Sequence, residues 1–246
     1  MKRRSFIKKL GLATAAITVL PSFSLSRKQK EFSENMLTGK GNHRLVGHAF
    51  QLMDEAMQAF EAMQKAAAAD QINIQMVSAY RNYQRQQQIW NRKYIQHTNA
   101  GISPEEAIQK IIEYSTIPGT SRHHWGTDID IIQQVPTPPK DVLQAQHFSA
   151  HGVFYPLHQW LLSEAEKYGF YQVYTDQAER KGFYYEPWHY SYKPLALPML
   201  EAYLKLDLAK IIKNQEIFGC DYFSEKFIEN YKKEHILDIN HALLPK

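Results

Sequence analysis

The apolar positions of this chain change period several times, and each change predicts an element. From His48 to Ala69, Phe50, Met53, Met57, Phe60 and Met63 recur at helical spacing. This predicts an amphipathic helix whose stripe packs into a core rather than around a cofactor. From Ile72 to Val77 apolar and polar residues alternate, the pattern of a half-buried strand. The segment Ser78-Ala79-Tyr80-Arg81-Asn82 turns into a second helix over about Tyr83 to Gln96. Ser103-Pro104-Glu105-Glu106 supplies a capping hydroxyl, a proline at the first helical position and acids in the first turn, so a third helix is expected to start there and end near Tyr114. Pro118-Gly119 marks a turn. Thr127 to Ile132 is strand-like. Residues 133–152 form a long connection carrying Pro136, Pro138 and Pro139, and loops of this length are often functional or mobile. A helix from Tyr155 to Tyr168 is stopped by Gly169. Short aromatic strands follow over Phe170 to Tyr174 and Phe183 to Tyr192, and from Pro194 onward the pattern is helical again.

This mixture predicts an α+β fold, a small antiparallel sheet flanked by helices. The N-terminus is organised differently. Lys2, Arg3, Arg4, Lys8 and Lys9 precede an apolar run from Leu10 to Leu20, the arrangement of an export signal too short to span a membrane comfortably. The arginine pair followed by Ser5-Phe6-Ile7-Lys8 resembles a twin-arginine signal, which exports folded proteins; an uncleaved N-terminal anchor is the alternative. The expected organisation is a signal over 1–26, a loose polar linker over 27–45, a catalytic domain over 46–195 and a helical C-terminal extension over 196–246.

Composition narrows the function classes. Apolar residues make up 44% of the 246-residue chain and charged residues 22%, so a packed core is expected rather than disorder. The net charge of +4 belongs to the N-terminus. Without the five basic residues of the first 26, 24 basic residues face 25 acidic ones, a balance that argues against nucleic-acid binding. Cys220 is the single cysteine. No internal disulfide can form, and the thiol is expected to pack as a small apolar group.

Two short segments concentrate the chemistry. Ser121-Arg122-His123-His124-Trp125-Gly126-Thr127-Asp128-Ile129-Asp130 and Glu186-Pro187-Trp188-His189 together hold three histidines and three carboxylates. A catalytic zinc site needs three protein ligands, an open position and a carboxylate close enough to take a proton from water. Strand alternation puts Asp128 and Asp130 on one face. In an extended backbone Glu186 and His189 would point to opposite faces, so they serve one site only if the segment bends, as Pro187 favours.

The pattern Ser-x-His, an Asp seven positions after the His, then Glu-x-x-His resembles the D-alanyl-D-alanine carboxypeptidase and dipeptidase family of zinc peptidases, and within it the VanY-like carboxypeptidases. Ser78-Ala79-Tyr80-Arg81, Pro118-Gly119-Thr120-Ser121, Lys167-Tyr168-Gly169-Phe170 and Tyr185-Glu186-Pro187-Trp188-His189-Tyr190 extend the likeness over about residues 45–195. The resemblance implies one zinc ion in a cleft on the sheet, held by His123, Asp130 and His189. Glu186 is implied as general base and then acid. Arg81 is implied to bind the scissile carbonyl oxygen or the substrate carboxylate, and Ser121 to help hold the substrate. The implied activity is removal of a terminal D-alanine from peptidoglycan stem peptides, by an exported, periplasmic or otherwise extracytoplasmic enzyme expected to be a monomer with no membrane span in its mature part. An L,D-carboxypeptidase, a peptidoglycan endopeptidase and a non-catalytic peptidoglycan-binding module are the alternatives.

The family usually has a small residue, often Ala, where this chain has Asp128. The expectation is that Asp128 orients a ligand histidine; the alternative is that it competes as a ligand. His124 is expected to point away from the metal. Trp125 and Trp188 are read as core aromatics, with a place in the cleft wall as the alternative.

Overall fold

A computed structural model of the chain describes residues 32–41 and 44–246; the expected export signal lies outside them. Residues from Phe32 onward form one compact unit. Its centre is a four-stranded antiparallel sheet. In spatial order the strands are β3 (Ile74–Ser78), β4 (Asp128–Gln133), β6 (His189–Tyr192) and β5 (Phe170–Gln172). A two-stranded hairpin, β1 (Leu45–Val46) and β2 (Leu52–Met53), lies ahead of it in the chain.

The central strand β4 shows how sequence sets the layers. Ile129 and Ile131 are fully buried and join the apolar cluster made with α2 (Asp54–Ala69) and α5 (Tyr155–Glu164). Asp128 and Asp130, with opposite parity, turn the other way. One face of the sheet is thus a hydrocarbon layer and the other carries carboxylates.

A second apolar cluster joins α3 (Tyr83–Asn99) and α4 (Pro104–Ile112) to the C-terminal helices α6 (Lys193–Tyr203), α7 (Leu208–Ile212) and α8 (Glu225–Tyr231). Leu200, Ile212, Ile217 and Leu243 are fully buried in it, so the residues after 195 supply much of this core. Tyr231 Oη accepts from the backbone N–H of Ile117 at 3.0 Å and pairs with Thr120 Oγ1 at 2.8 Å, and Tyr203 Oη donates to Gly119 O at 2.9 Å. The C-terminal helices therefore clamp the 117–120 turn that leads into the first chemical segment. Cys220 lies buried in this cluster.

Three segments differ from the expectations set by local pattern; one is the strand expected over Phe183 to Tyr192, which forms only over His189–Tyr192. The helix expected from His48 starts only at Asp54, because residues 45–53 form the hairpin. Long-range hydrogen bonds, Tyr80 N to Gln51 O and Met53 N to Gly126 O, hold those residues extended despite their helical spacing. The linker expected to be loose contains a short helix, α1 (Glu34–Leu37), capped by Ser33. Leu37 is fully buried and its carbonyl accepts from Trp125 Nε1. Phe32 and Met36 pack against the same cluster and Gly39 O accepts from Tyr83 N at 2.8 Å, so contacts distant in sequence hold this segment. Among the described residues, no helix is long and apolar enough to cross a membrane.

Candidate metal centre

His123 sits in a tight 3₁₀ turn, Arg122–Trp125, ended by Gly126 in the left-handed region at φ 67°. That conformation is cheap only for glycine. It lets the chain reverse into β4, so that His123 faces back over the strand that begins at Asp128. The β3–β4 pairing slips between Met76 and Ser78. This bulge re-aims the following residues, and Ala79 and Arg81 run alongside the turn. Ala79 O accepts a hydrogen bond from His123 Nδ1 at 2.8 Å, and Arg81 N donates to His123 O at 3.1 Å.

His189 opens β6, in register with Asp130 on β4. Glu186 reaches the same side because residues 186–189 turn, His189 N donating to Glu186 O at 3.2 Å. The bend expected near Pro187 is present. His123, Asp130 and His189 each offer a donor atom, all within 4.8 Å of one another, and all three residues are buried. His123 Nε2 lies 3.5 Å from Asp130 Oδ2, and His189 Nδ1 lies 3.9 Å from Asp130 Oδ1 and 3.0 Å from Glu186 Oε2. Two imidazoles and a carboxylate are a donor set suited to zinc. The Ala79 carbonyl fits as well, since a proton held on His123 Nδ1 leaves Nε2 as the lone-pair nitrogen.

The charges are strongly coupled. Burial alone would raise the Asp130 carboxyl, but the two histidines and Arg81 bring it down to about 2. Burial would lower His189, but hydrogen bonds to Asp128 and Glu186 carry it up to about 10. Burial raises the Glu186 carboxyl, only partly offset by its bond to His189. A carboxylate raised in this way is a better base than an exposed one.

These groups form one wall of a cleft of about 730 Å³ that also includes Ser121, Arg81, Arg85 and Lys93. Arg81 Nη1 donates to Gln86 Oε1 at 2.6 Å and Nη2 to Ser78 Oγ at 3.5 Å. Burial lowers the Arg81 pKa, while Asp130 and Glu186 work the other way. The cleft thus combines acidic, metal-competent groups with cations.

Other residues of the two segments, read from the sequence as standing outside the ligand set, take other positions. His124 donates from Nδ1 to Arg81 O and accepts at Nε2 from Gly119 N, so both ring nitrogens are taken by backbone. Trp125 is buried in the C-terminal cluster. Trp188 belongs to the other cluster and shows one edge to the cleft. The motifs did not single out Gln86, Lys93 and Tyr174. Gln86 is fully buried, holds Arg81 and donates to Thr116 O. Lys93, on the same helix face, donates to Ser115 Oγ at 2.6 Å. A polar stripe on α3, read at helical spacing, would have marked both. Tyr174 packs edge-on against His189 at 5.1 Å, and no local pattern announces that contact.

Residues 49–195 match the profile of the family described as VanY, D-alanyl-D-alanine carboxypeptidase. A D-alanyl-D-alanine carboxypeptidase of Enterococcus faecalis is 28% identical over 128 residues, 52% of this chain and 42% of that enzyme, so the match spans less than half of the relative's length. The vancomycin-resistance D,D-pentapeptidase VanY from the VanB-type cassette, solved as a variant in complex with Zn(II), aligns over 69% of this chain and 89% of its own at a TM-score of 0.50 and 22% identity. VanYB in complex with D-alanine-D-alanine aligns over 72% and 91% at 0.51, also with 22% identity. At that identity the two structures establish a shared fold.

Proposed function

The chain belongs to the VanY D-alanyl-D-alanine carboxypeptidase family, and on that footing we propose that it is a zinc-dependent carboxypeptidase that removes the terminal D-alanine from peptidoglycan stem peptides outside the cytoplasmic membrane. The observation that carries the reading is the convergence of His123, Asp130 and His189 within 4.8 Å beside the buried carboxyl of Glu186, in a cleft also lined by Arg81, Arg85 and Lys93. A binding module has no use for a base with a raised pKa next to a metal-competent triad. The basic, then apolar N-terminal sequence supports export.

His123, Asp130 and His189 would hold a zinc ion, and the ion when bound would supply Lewis acidity toward water and a peptide carbonyl. The chain's own groups do the rest. Glu186 accepts the proton of the attacking water and later delivers it to the departing amine of D-alanine. General acid–base catalysis of this kind contributes roughly 10²–10⁴-fold. Arg81 offers permanently charged, planar donors to the carbonyl oxygen or the terminal carboxylate. Ser121 helps seat the substrate.

The test uses the exported part of the chain loaded with zinc, incubated with a stem pentapeptide ending in D-Ala-D-Ala and followed by mass spectrometry. The expected result is loss of one alanine, abolished in Glu186→Ala while zinc stays bound at one ion per chain. Cleavage confined to a tetrapeptide would make the enzyme an L,D-carboxypeptidase. No cleavage of either peptide by the zinc-loaded protein would overturn the reading.

A further inference from the structure

The two candidate ligand histidines are held in opposite ways. His123 is tied at Nδ1, by the Ala79 carbonyl. His189 is hydrogen-bonded at both nitrogens: Nδ1 meets Glu186 Oε2 at 3.0 Å on the side that faces Asp130, and Nε2, on the other side of the ring, meets Asp128 Oδ2 at 3.0 Å. Asp128 is fully buried and sits on β4 directly opposite Ser191 of β6. It accepts four hydrogen bonds. Arg122 Nε donates to Oδ2 at 2.9 Å, alongside His189; Thr127 Oγ1 donates to Oδ1 at 2.8 Å and Ser191 Oγ at 2.6 Å. Arg122 Nη2 donates to Ser191 Oγ at 2.7 Å and closes the ring of contacts. The guanidinium also lies 4.7 Å from the centre of the Trp125 ring.

We propose that Asp128 is the positioning residue that fixes His189 as the Nε2–H tautomer, so that it presents Nδ1 to the metal, and that Arg122, Thr127 and Ser191 exist to hold Asp128 in that role. The inference rests on the zinc reading above and concerns residues outside the ligand set. A neutral imidazole has one proton, and the nitrogen that keeps it cannot coordinate. A buried carboxylate at Nε2 decides which nitrogen that is, and it makes the other a stronger donor than a solvated ring would be. Asp128 is unsuited to be a ligand itself. All four of its contacts are to donors, and Arg122 balances its charge at the bottom of the sheet, where an unpaired carboxylate would be costly. An alanine at this position would leave Nε2 without an acceptor and Arg122 without a counter-charge.

The experiment measures zinc affinity by competition with a chromophoric chelator, and the protonation of the histidine rings by nitrogen-detected NMR of the zinc-loaded protein. Thermal melting of the metal-free forms controls for folding. Asp128→Asn preserves shape and removes the charge. Arg122→Gln with Asp128→Asn removes both charges and so avoids a buried unpaired cation. In the unaltered protein the His189 ring is expected to carry its proton on Nε2 and the metal on Nδ1. Both variants are expected to lose roughly 10–100-fold in zinc affinity. Zinc affinity within about twofold of the unaltered protein in a folded variant, with unchanged ring signals, would make the network a structural ion pair and overturn the proposal. A His189 ring protonated on Nδ1 in the zinc-loaded unaltered protein would overturn it without any variant. An unaltered chain that binds no zinc would instead defeat the carboxypeptidase reading, and this inference with it.

Discussion

At the level of single residues, the cleft works by contrast. A carboxyl pushed up by burial at Glu186 shares the cleft with the Arg81 guanidinium, whose donors are already partly directed by Gln86 and Ser78. Arg81 is therefore presented as a rigid fork rather than a mobile charge, and lysine could not reproduce it. Arg81→Lys is expected to lower kcat/KM on the order of 10²–10³-fold, the usual cost of losing one preorganised donor to developing negative charge, with zinc affinity unchanged. Steady-state kinetics beside a zinc titration checks this, and a variant within about threefold of the parent, far short of that cost, would remove Arg81 from the reaction. The residue types at these positions were legible in the sequence. Gln86 was not, because its function depends on a partner that only the turn at Arg81 brings within reach.

Among the elements, the site depends on two irregularities. The bulge in β3 lets the Ala79 carbonyl meet His123, and the left-handed Gly126 turns the 3₁₀ segment into β4. A β-carbon at Gly126 would also approach Leu45 Cδ2 to 2.7 Å and the backbone nitrogen of Met53 to 3.3 Å. Gly126→Ala is expected to cost about 1–2 kcal/mol, seen as a fall in Tm of several degrees together with weaker zinc binding, since the same turn carries His123. An unchanged melting curve would show that the turn relaxes freely. Capping was readable in advance. Ser103 accepts from Glu106 N and Pro104 opens α4 as expected. The hairpin before α2 was not, because its hydrogen bonds run to Gly126 and from Tyr80, far away in sequence.

Across the whole molecule, the C-terminal helices complete the core and brace the turn before Ser121. His235 marks the cost of that packing. It stacks on Tyr231 and meets Phe183 edge-on, and burial lowers its pKa to about 4, against smaller opposing effects of a backbone hydrogen bond with Ile112 and of Asp238. A histidine whose folded pKa lies below its ordinary value of 6.5 binds its proton more readily in the unfolded chain. Its packing therefore contributes fully above the ordinary value and loses ground as pH falls from there through about 4, with a slope of at most roughly 1.4 kcal/mol for each pH unit. Denaturant unfolding at about pH 7, above that window, and at about pH 4.5, close to its lower end, is expected to show a steeper loss in the parent than in His235→Leu. Equal losses would assign the acid sensitivity to other groups.

Short-range rules were enough to write down most of the helices and the α+β mixture, while the expected ligand set came from the family resemblance. Periodicity, caps and turn residues act over a few positions, and metal chemistry restricts the residue types. How those residues face one another came only with the assembled fold. Antiparallel pairing of β4 with β6 sets Asp130 beside His189 and Asp128 beside Ser191, and this pairing, not any local pattern, brings Asp128 within hydrogen-bond reach of His189 Nε2. The same holds for residues 196–246, whose helices are legible one by one. Their burial against α3 and α4 is a long-range outcome of apolar surface seeking cover.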